Sequence, residues 1–328
     1  MDVTVAVVGA GPAGCAAALT VRRYLPEMRV ALVSAPAGEG PAAGETLSPG
    51  VLPLLEYLGL RGEFLDAGHL PAGGTASAWG SPHVVDRSYL FTGRGTGWHL
   101  DRARFDAWML GRAEAAGAIV VHGRALAPGA GRSASGWRLE MEGGGTLEAR
   151  AVVDATGRPA QFARRQGVRP RRDDALVAEI RWFVDHEPRR VSEGALVETV
   201  PDGWWYTASL PDGRAVAMFM TDSDLLRQSA WEARLEGAPA TVRRVERWRA
   251  AGETAVRAAN SQLSPVVAGD GWVAAGDAAA AFDPISALGI GFALRSGMEA
   301  ARVAAAAAEG DDGPAEDYAA SVARIYDD

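Results

Sequence analysis

Val3-Thr4-Val5-Ala6-Val7-Val8-Gly9-Ala10-Gly11-Pro12-Ala13-Gly14 is the stretch that decides the fold. Val3 to Val8 is a continuous apolar run of strand length, the pattern of a strand buried on both faces of a parallel sheet. An alanine-rich helix follows to about Tyr24, and Arg29 to Val33 reads as a second strand, which completes a βαβ unit. Gly9 allows the tight turn, Gly11 lets a pyrophosphate approach the backbone, and Gly14 lets helix and strand pack closely. The helix start at Pro12 and Ala13 offers free N–H groups and a positive dipole end to phosphate. The competing reading is a glycine turn kept for packing alone. The strand–turn–helix context favours dinucleotide binding through Gly9, Gly11, Pro12, Ala13 and Gly14. The acidic residue expected about 20 positions on, for the ribose hydroxyls, is replaced by Ser34. A serine is short and neutral, so this position alone admits NADP as a rival ligand.

Charge and cysteine content narrow the classes. The 328 residues suit two domains with a sizeable core. A net charge of -8 argues against nucleic-acid binding. All 33 basic residues are arginine. The single cysteine, Cys15, excludes an intrachain disulfide and reads as a small buried hydrophobe. Val3 to Leu19 lacks a basic leading region and is interrupted by glycines, unlike a signal peptide. No uncharged apolar run is long enough to span a membrane, so no membrane span and a cytoplasmic location are expected. No His, Asp and Glu set has metal-ligand spacing.

Outward from the first unit, helices are expected at about Gly50 to Leu58 and Arg102 to Ala116. Ile119 to His122, Trp137 to Met141 and Ala151 to Asp154 read as strands. Leu176 to Phe183, Ala195 to Val200, Trp204 to Leu210 and Arg214 to Met220 are four more, punctuated by Pro-Asp-Gly at 201–203 and 211–213. They predict an antiparallel sheet inserted into the α/β frame. Helices are expected near Asp224 to Glu236 and Ala240 to Ala250, a buried strand at Trp272 to Ala275, and a long helix over Gly289 to Ala308. The tail from Gly310 to Asp328 is acidic and weakly helical. The fold class is therefore α/β: a Rossmann-type domain over 1–75, 99–172 and 264–328, with an α+β substrate domain over 76–98 and 173–263.

Three further motifs carry chemistry. In Trp98-His99-Leu100-Asp101-Arg102-Ala103-Arg104-Phe105-Asp106, Arg102 is placed to reach a pyrophosphate or a flavin edge, while Arg104 and Asp106 fit helix-start electrostatics. Val152-Val153-Asp154-Ala155-Thr156-Gly157-Arg158 is a buried strand ending in a small-residue turn. Ala274-Ala275-Gly276-Asp277-Ala278-Ala279 leads to Asp283-Pro284-Ile285-Ser286-Ala287-Leu288-Gly289-Ile290-Gly291. There, Gly276-Asp277 suits ribityl or phosphate oxygens, and Gly289 and Gly291 open a helix whose dipole can face a flavin ring.

With these pieces in order, the chain resembles the class A flavoprotein monooxygenases, which include aromatic hydroxylases, flavin-dependent halogenases and geranylgeranyl-type reductases. Gly44-Glu45-Thr46-Leu47-Ser48-Pro49, Trp79-Gly80-Ser81, Gly97-Trp98-His99, Gly203-Trp204-Trp205-Tyr206 and Asp283-Pro284-Ile285-Ser286 are most similar to a halogenase-related branch. That branch includes flavoproteins that hydroxylate peptide tryptophan during tryptophylquinone biogenesis. The resemblance covers about residues 3 to 305 and implies FAD held by Gly9, Gly11, Gly14, Arg102 and Asp277. Ser34, Thr46, Gly157 and Gly276 join this cofactor set, with Pro284, Leu288, Gly289 and Ile290 along the isoalloxazine. Two departures stand out. Flavin halogenases resemble one another in a catalytic lysine, and this chain has no lysine; its Trp204-Trp205-Tyr206-Thr207-Ala208-Ser209 also differs from their Trp-x-Trp-x-Ile-Pro. Relatives usually continue with a further helical segment beyond the position of Asp328, so a more open substrate cleft is expected.

Glu45, after the glycine-rich stretch Ala35 to Gly44, and His99 are the candidate catalytic residues, each with a structural alternative of equal or greater weight. Trp79, Trp204 and Tyr206 are candidate substrate residues; strand alternation sends Trp204 and Tyr206 to one face and Trp205 to the other, and plain sheet packing explains them equally well. His69 and His83 fall in loops and carry no assignment. The resemblance implies an FAD-dependent monooxygenase acting on an electron-rich aromatic, with a tryptophan or indole in a peptide or natural-product precursor as the leading substrate, through a flavin C4a-hydroperoxide. Electrons would come from NAD(P)H or a separate flavin reductase. The alternatives are a dehydrogenase or reductase of the geranylgeranyl-reductase kind, a halogenase, and a non-catalytic flavin-binding assembly partner.

Overall fold

Five parallel strands form the centre of the molecule in the order Trp272–Ala274, Thr146–Asp154, Asp2–Val8, Val30–Ser34, Ile119–His122. The computed structural model describes residues 1–36, 45–93, 95–125, 132–133, 136–185 and 194–327. Most of the glycine-rich stretch Ala35 to Gly44 therefore lies outside the described residues, as does Asp328. The central strands lack polar alternation because helices cover both faces; Val5, Ala6, Val7, Ala31, Leu32, Val152 and Val153 are all buried. Pro12–Tyr24 crosses Gly289–Ala308 closely, since a Cβ on Gly297 would lie 2.2 Å from the Ala13 carbonyl oxygen. Cys15 is buried.

A second, seven-stranded sheet runs in the order Trp248–Ala258, Leu176–Asp185, Arg214–Asp222, Gly203–Ser209, Ala195–Val200, Gly74–Ala78, Val85–Ser88. Every neighbouring pair is antiparallel except Ala195–Val200 with Gly74–Ala78. One face buries Trp182, Trp204, Met218 and Met220; the other buries Phe183, Trp205, Phe219, Trp231 and Trp248. Glu198 closes that second face by accepting the N–H groups of Ala240 and Thr241 at 3.0 and 2.6 Å, at the start of the helix Pro239–Val245. A small third sheet pairs Gly97–His99 with Thr46–Leu47 on one side and Leu70–Ala72 on the other.

Two expectations need correction. The helix expected over Ala240 to Ala250 ends at Val245, and Trp248–Ala258 is an edge strand paired with Leu176–Asp185. The helix expected over Asp224 to Glu236 is broken into a short turn at Leu225–Arg227 and a helix at Trp231–Glu236. In the first place pairing with Leu176–Asp185 overrides local helix preference; in the second, Ala230 takes an extended backbone, φ -76° and ψ 157°, which separates the turn from the helix. Among the described residues, no helix is long and apolar enough to cross a membrane.

Candidate flavin and substrate site

The glycine signature folds as its spacing requires. Gly9 has φ +110°, and a Cβ there would sit 2.2 Å from the Ala155 carbonyl oxygen; a Cβ on Gly14 would sit 1.8 Å from the Gly9 carbonyl oxygen. Among the described residues, nothing lies within 4 Å of the missing Cβ of Gly11, and no side chain caps the helix it begins. This is a cradle with free N–H groups, the shape and chemistry a pyrophosphate needs. Ser34 ends the neighbouring strand in register with His122, and Gly123 N–H donates to the Ser34 carbonyl at 2.9 Å.

Two other strand ends, those of Thr146–Asp154 and Trp272–Ala274, converge on this cradle. Asp154 is wholly buried and accepts from Thr156 N–H (3.0 Å), Thr156 Oγ1–H (2.7 Å) and Ala163 N–H (2.8 Å). Burial pushes its pKa up and these bonds oppose that push, so the carboxyl is a structural knot that shapes the turn through Gly157. Gly276 lies against the Ala13 Cβ, and Asp277 follows it. Asp277 keeps 38% of its side chain exposed, yet lies 3.6 Å from Arg158 Nε. Its pKa is raised by the protein wall around it, against the pull of Arg158 and Arg102. Arg102, 16% exposed, is forked by Asp106 at 3.2 and 3.0 Å.

Pro284–Ser286 and the start of Gly289–Ala308 border the same region. Asp283 accepts Ile285 N–H at 2.9 Å, Ser286 Oγ donates to the Asp283 carbonyl at 2.8 Å, and Ala287 has φ +52°. The turn is thus held by its own side chains, leaving Ile285 and Leu288 exposed. Among the described residues, a Cβ on Gly289 or Gly291 would meet nothing within 4 Å, and no side chain caps this helix start near Ile290. Open glycine backbone at two helix starts, with Arg102, Arg158 and Asp277 alongside, fits FAD.

The seven-stranded sheet meets this frame through polar contacts. Thr46 Oγ1 and the Tyr206 hydroxyl are 2.5 Å apart. The Tyr206 phenol is pushed up by burial and by Glu45, with the Thr46 bond opposing. His99, in register with Thr46, is fully buried, and its Nδ1–H donates to the Ser209 carbonyl at 2.6 Å. Burial lowers its pKa to about 4; the Ser209 bond opposes this and Arg244 adds to it, so the ring is neutral. Glu45, Thr46, His99 and Tyr206 are thus brought together. Trp204 and Tyr206 share one face and Trp205 the other, with Trp205 packed edge-on against Trp231 at 4.6 Å. Trp79 is not part of this cluster; it is 56% exposed beyond the strand Gly74–Ala78, across Ala195–Val200 from Trp204. His69 is buried beside Phe64, with ring centroids 4.7 Å apart, and belongs to an aromatic core.

Arg158, which closes the quoted strand-end motif, lies 3.6 Å from Asp277 and is a further candidate ligand beyond those expected from the sequence. Arg214 pairs with Asp101, 113 residues away, and nothing local in the sequence signals that pairing.

No protein-family profile matches the chain. Over 336 residues it is 31% identical to the Marinomonas mediterranea protein designated FAD-dependent oxidoreductase LodB, covering 98% of this chain and 88% of that one. The solved structure of QhpG, a peptidyl tryptophan dihydroxylase essential for tryptophylquinone cofactor biogenesis, is 27% identical with a TM-score of 0.72, covering 99% of this chain and 74% of that one. The flavin-dependent brominase Bmp2 superposes with a TM-score of 0.83 at 19% identity, covering 98% and 84% of the two chains, a likeness of fold.

Proposed function

The chain belongs to the FAD-dependent oxidoreductases that include LodB, within the halogenase-related branch of the class A flavin monooxygenases, and on that premise we propose that it hydroxylates an electron-rich aromatic ring, foremost a tryptophan side chain in a peptide. The observation that carries this reading is the Thr46–Tyr206 contact, which brings the aromatic face of the seven-stranded sheet against the flavin-binding frame at Glu45. QhpG, a relative at 27% identity, acts on peptidyl tryptophan. The chain has no lysine, and this favours hydroxylation over halogenation.

In this reading the backbone at Gly9, Gly11 and Gly14, with Pro12 and Ala13 at the helix start, holds the pyrophosphate. Arg102 supplies positive charge beside it, and Ser34 takes the adenosine ribose. Gly157, Gly276 and Asp277 hold the ribityl chain, while Pro284, Leu288, Gly289 and Ile290 border the ring with Thr46 opposite. FAD, when bound, supplies the activation of dioxygen. The chain's own work is to orient the acceptor ring, exclude water and move protons. Trp204 and Tyr206 stack the substrate ring, with Trp79 at the outer end of the same sheet. Glu45, 2% exposed, takes the proton lost from the hydroxylated ring carbon. His99 fixes the strand that carries this corner. The seven-stranded sheet forms the substrate domain, and a flavin reductase or NAD(P)H delivers the electrons.

Flavin reoxidation tests this. The protein is loaded with FAD, reduced without oxygen, then mixed with oxygen in the presence and absence of a tryptophan-containing peptide. Oxygen consumption matched by modified peptide, with little hydrogen peroxide, is expected. Stoichiometric hydrogen peroxide with unmodified peptide would favour an electron-transfer role without oxygen insertion.

A further inference from the structure

The Pro211-Asp212-Gly213 turn joins the two strands Gly203–Ser209 and Arg214–Asp222, and it lands on the first turn of the helix Arg102–Ala115. Two ion pairs of opposite polarity hold it there: Arg214 of the sheet with Asp101 of the helix, and Asp212 of the turn with Arg104 of the helix at 3.7 Å. The second pair is 50% and 70% exposed and contributes little. The first is better shielded, because Asp101 is 18% exposed.

Asp101 serves two partners at once. Its Oδ1 accepts Arg104 N–H at 3.2 Å as the helix cap, while its Oδ2 takes the Arg214 guanidinium. The next residue is Arg102. A cavity of about 30 Å³ lies at this junction, walled by Glu45, Arg102, Trp182, Leu210 and Arg214. It has room for a water molecule between the sheet and the helix start.

We propose that Arg214 is a positioning residue for the flavin: by holding Asp101 it fixes the helix start from which Arg102 reaches FAD. This rests on the reading of Arg102 as a cofactor ligand given above. Arg214 opens the strand that places Met218 and Met220 beside Trp204.

The test is FAD titration of the apoprotein, followed by quenching of flavin fluorescence, for wild type, R214Q, R102Q and the R102Q/R214Q double variant. R214Q should weaken FAD binding by about tenfold, inside the range usual for coupled sites. R102Q should weaken it at least as much, and the double variant should match R102Q, because Arg214 acts through Arg102. D101N retains a good helix cap but loses the charge, so it should repeat the R214Q loss and provides the reading should R214Q fail to fold. R214K should recover most of the affinity. Wild-type affinity in R214Q and D101N, or the same loss from R214Q in the R102Q background, would overturn the proposal. A wild type that takes up no FAD, or an R102Q protein with undiminished affinity, would instead overturn the flavin reading on which it rests.

Discussion

Acidification should destabilise this protein through His99 in a predictable window. The imidazole is fully buried, its Nδ1–H is committed to the Ser209 carbonyl at 2.6 Å, and its enclosed Nε2 has no hydrogen-bond partner among the described residues. A second proton would place a charge where nothing accepts it, within reach of the positive field of Arg244. The folded-state pKa is accordingly lowered from 6.5 to about 4, chiefly by burial. A depressed pKa means that the unfolded chain takes up the proton first, so the stabilisation is complete above 6.5 and is lost as the pH falls through about 4. At about pH 5 the unfolded state is nearly all protonated at this site and the folded state is not, which costs about 2 kcal/mol relative to neutral pH. The control is His99→Asn, whose amide N–H can replace the Nδ1–H donor but does not titrate. Urea unfolding of both proteins at about pH 7.5 and about pH 5 measures the difference. Wild type should lose about 2 kcal/mol more than the variant over that interval. His69, also lowered to about 4, titrates in both proteins and cancels. Equal losses in the two proteins would refute the buried, neutral imidazole.

Three other outcomes follow from the geometry. Gly14→Ala puts a Cβ 1.8 Å from the Gly9 carbonyl oxygen, so FAD uptake should be abolished and thermal unfolding should occur at lower temperature, read by fluorescence titration and calorimetry. Tyr206→Phe removes one hydroxyl of the Thr46–Tyr206 pair at a cost of about 1 kcal/mol, seen as a fall in Tm of roughly 2 °C. Glu45→Gln should leave FAD affinity within a few-fold of wild type while lowering hydroxylation by about a hundredfold or more, as expected for loss of a proton acceptor, measured by product formation under saturating reductant.

The features legible in the sequence were those whose signal is local. The strand–turn–helix at Val3 to Gly14 announces its own geometry, because Gly9 and Gly14 have no room for a side chain. The hairpins at 201–203 and 211–213 were likewise written in Pro-Asp-Gly turns, the second with Asp212 at φ +62°. The alternation of Trp204, Trp205 and Tyr206 placed each on its correct face, since period two leaves no choice once the strand exists. Trp248–Ala258 was not legible. It is exposed along most of its length and has neither period; only its pairing with Leu176–Asp185 makes it a strand. The short strands Leu70–Ala72 and Gly97–His99 hold too few residues to show a period at all. The same limit applies to the site: Glu45 and His99 could be nominated, but the burial that neutralises His99 and the reach of Arg214 to Asp101 depend on contacts far apart in the chain.

The central claim is oxygen insertion into an aromatic ring on the seven-stranded sheet. The most direct measurement is mass spectrometry of a tryptophan-containing peptide after turnover with FAD, a flavin reductase and isotopically heavy dioxygen. The account predicts heavy oxygen in the indole ring and none taken from water. A peptide returned unlabelled while reduced flavin is consumed, or one that gains halogen when halide is present, would contradict it.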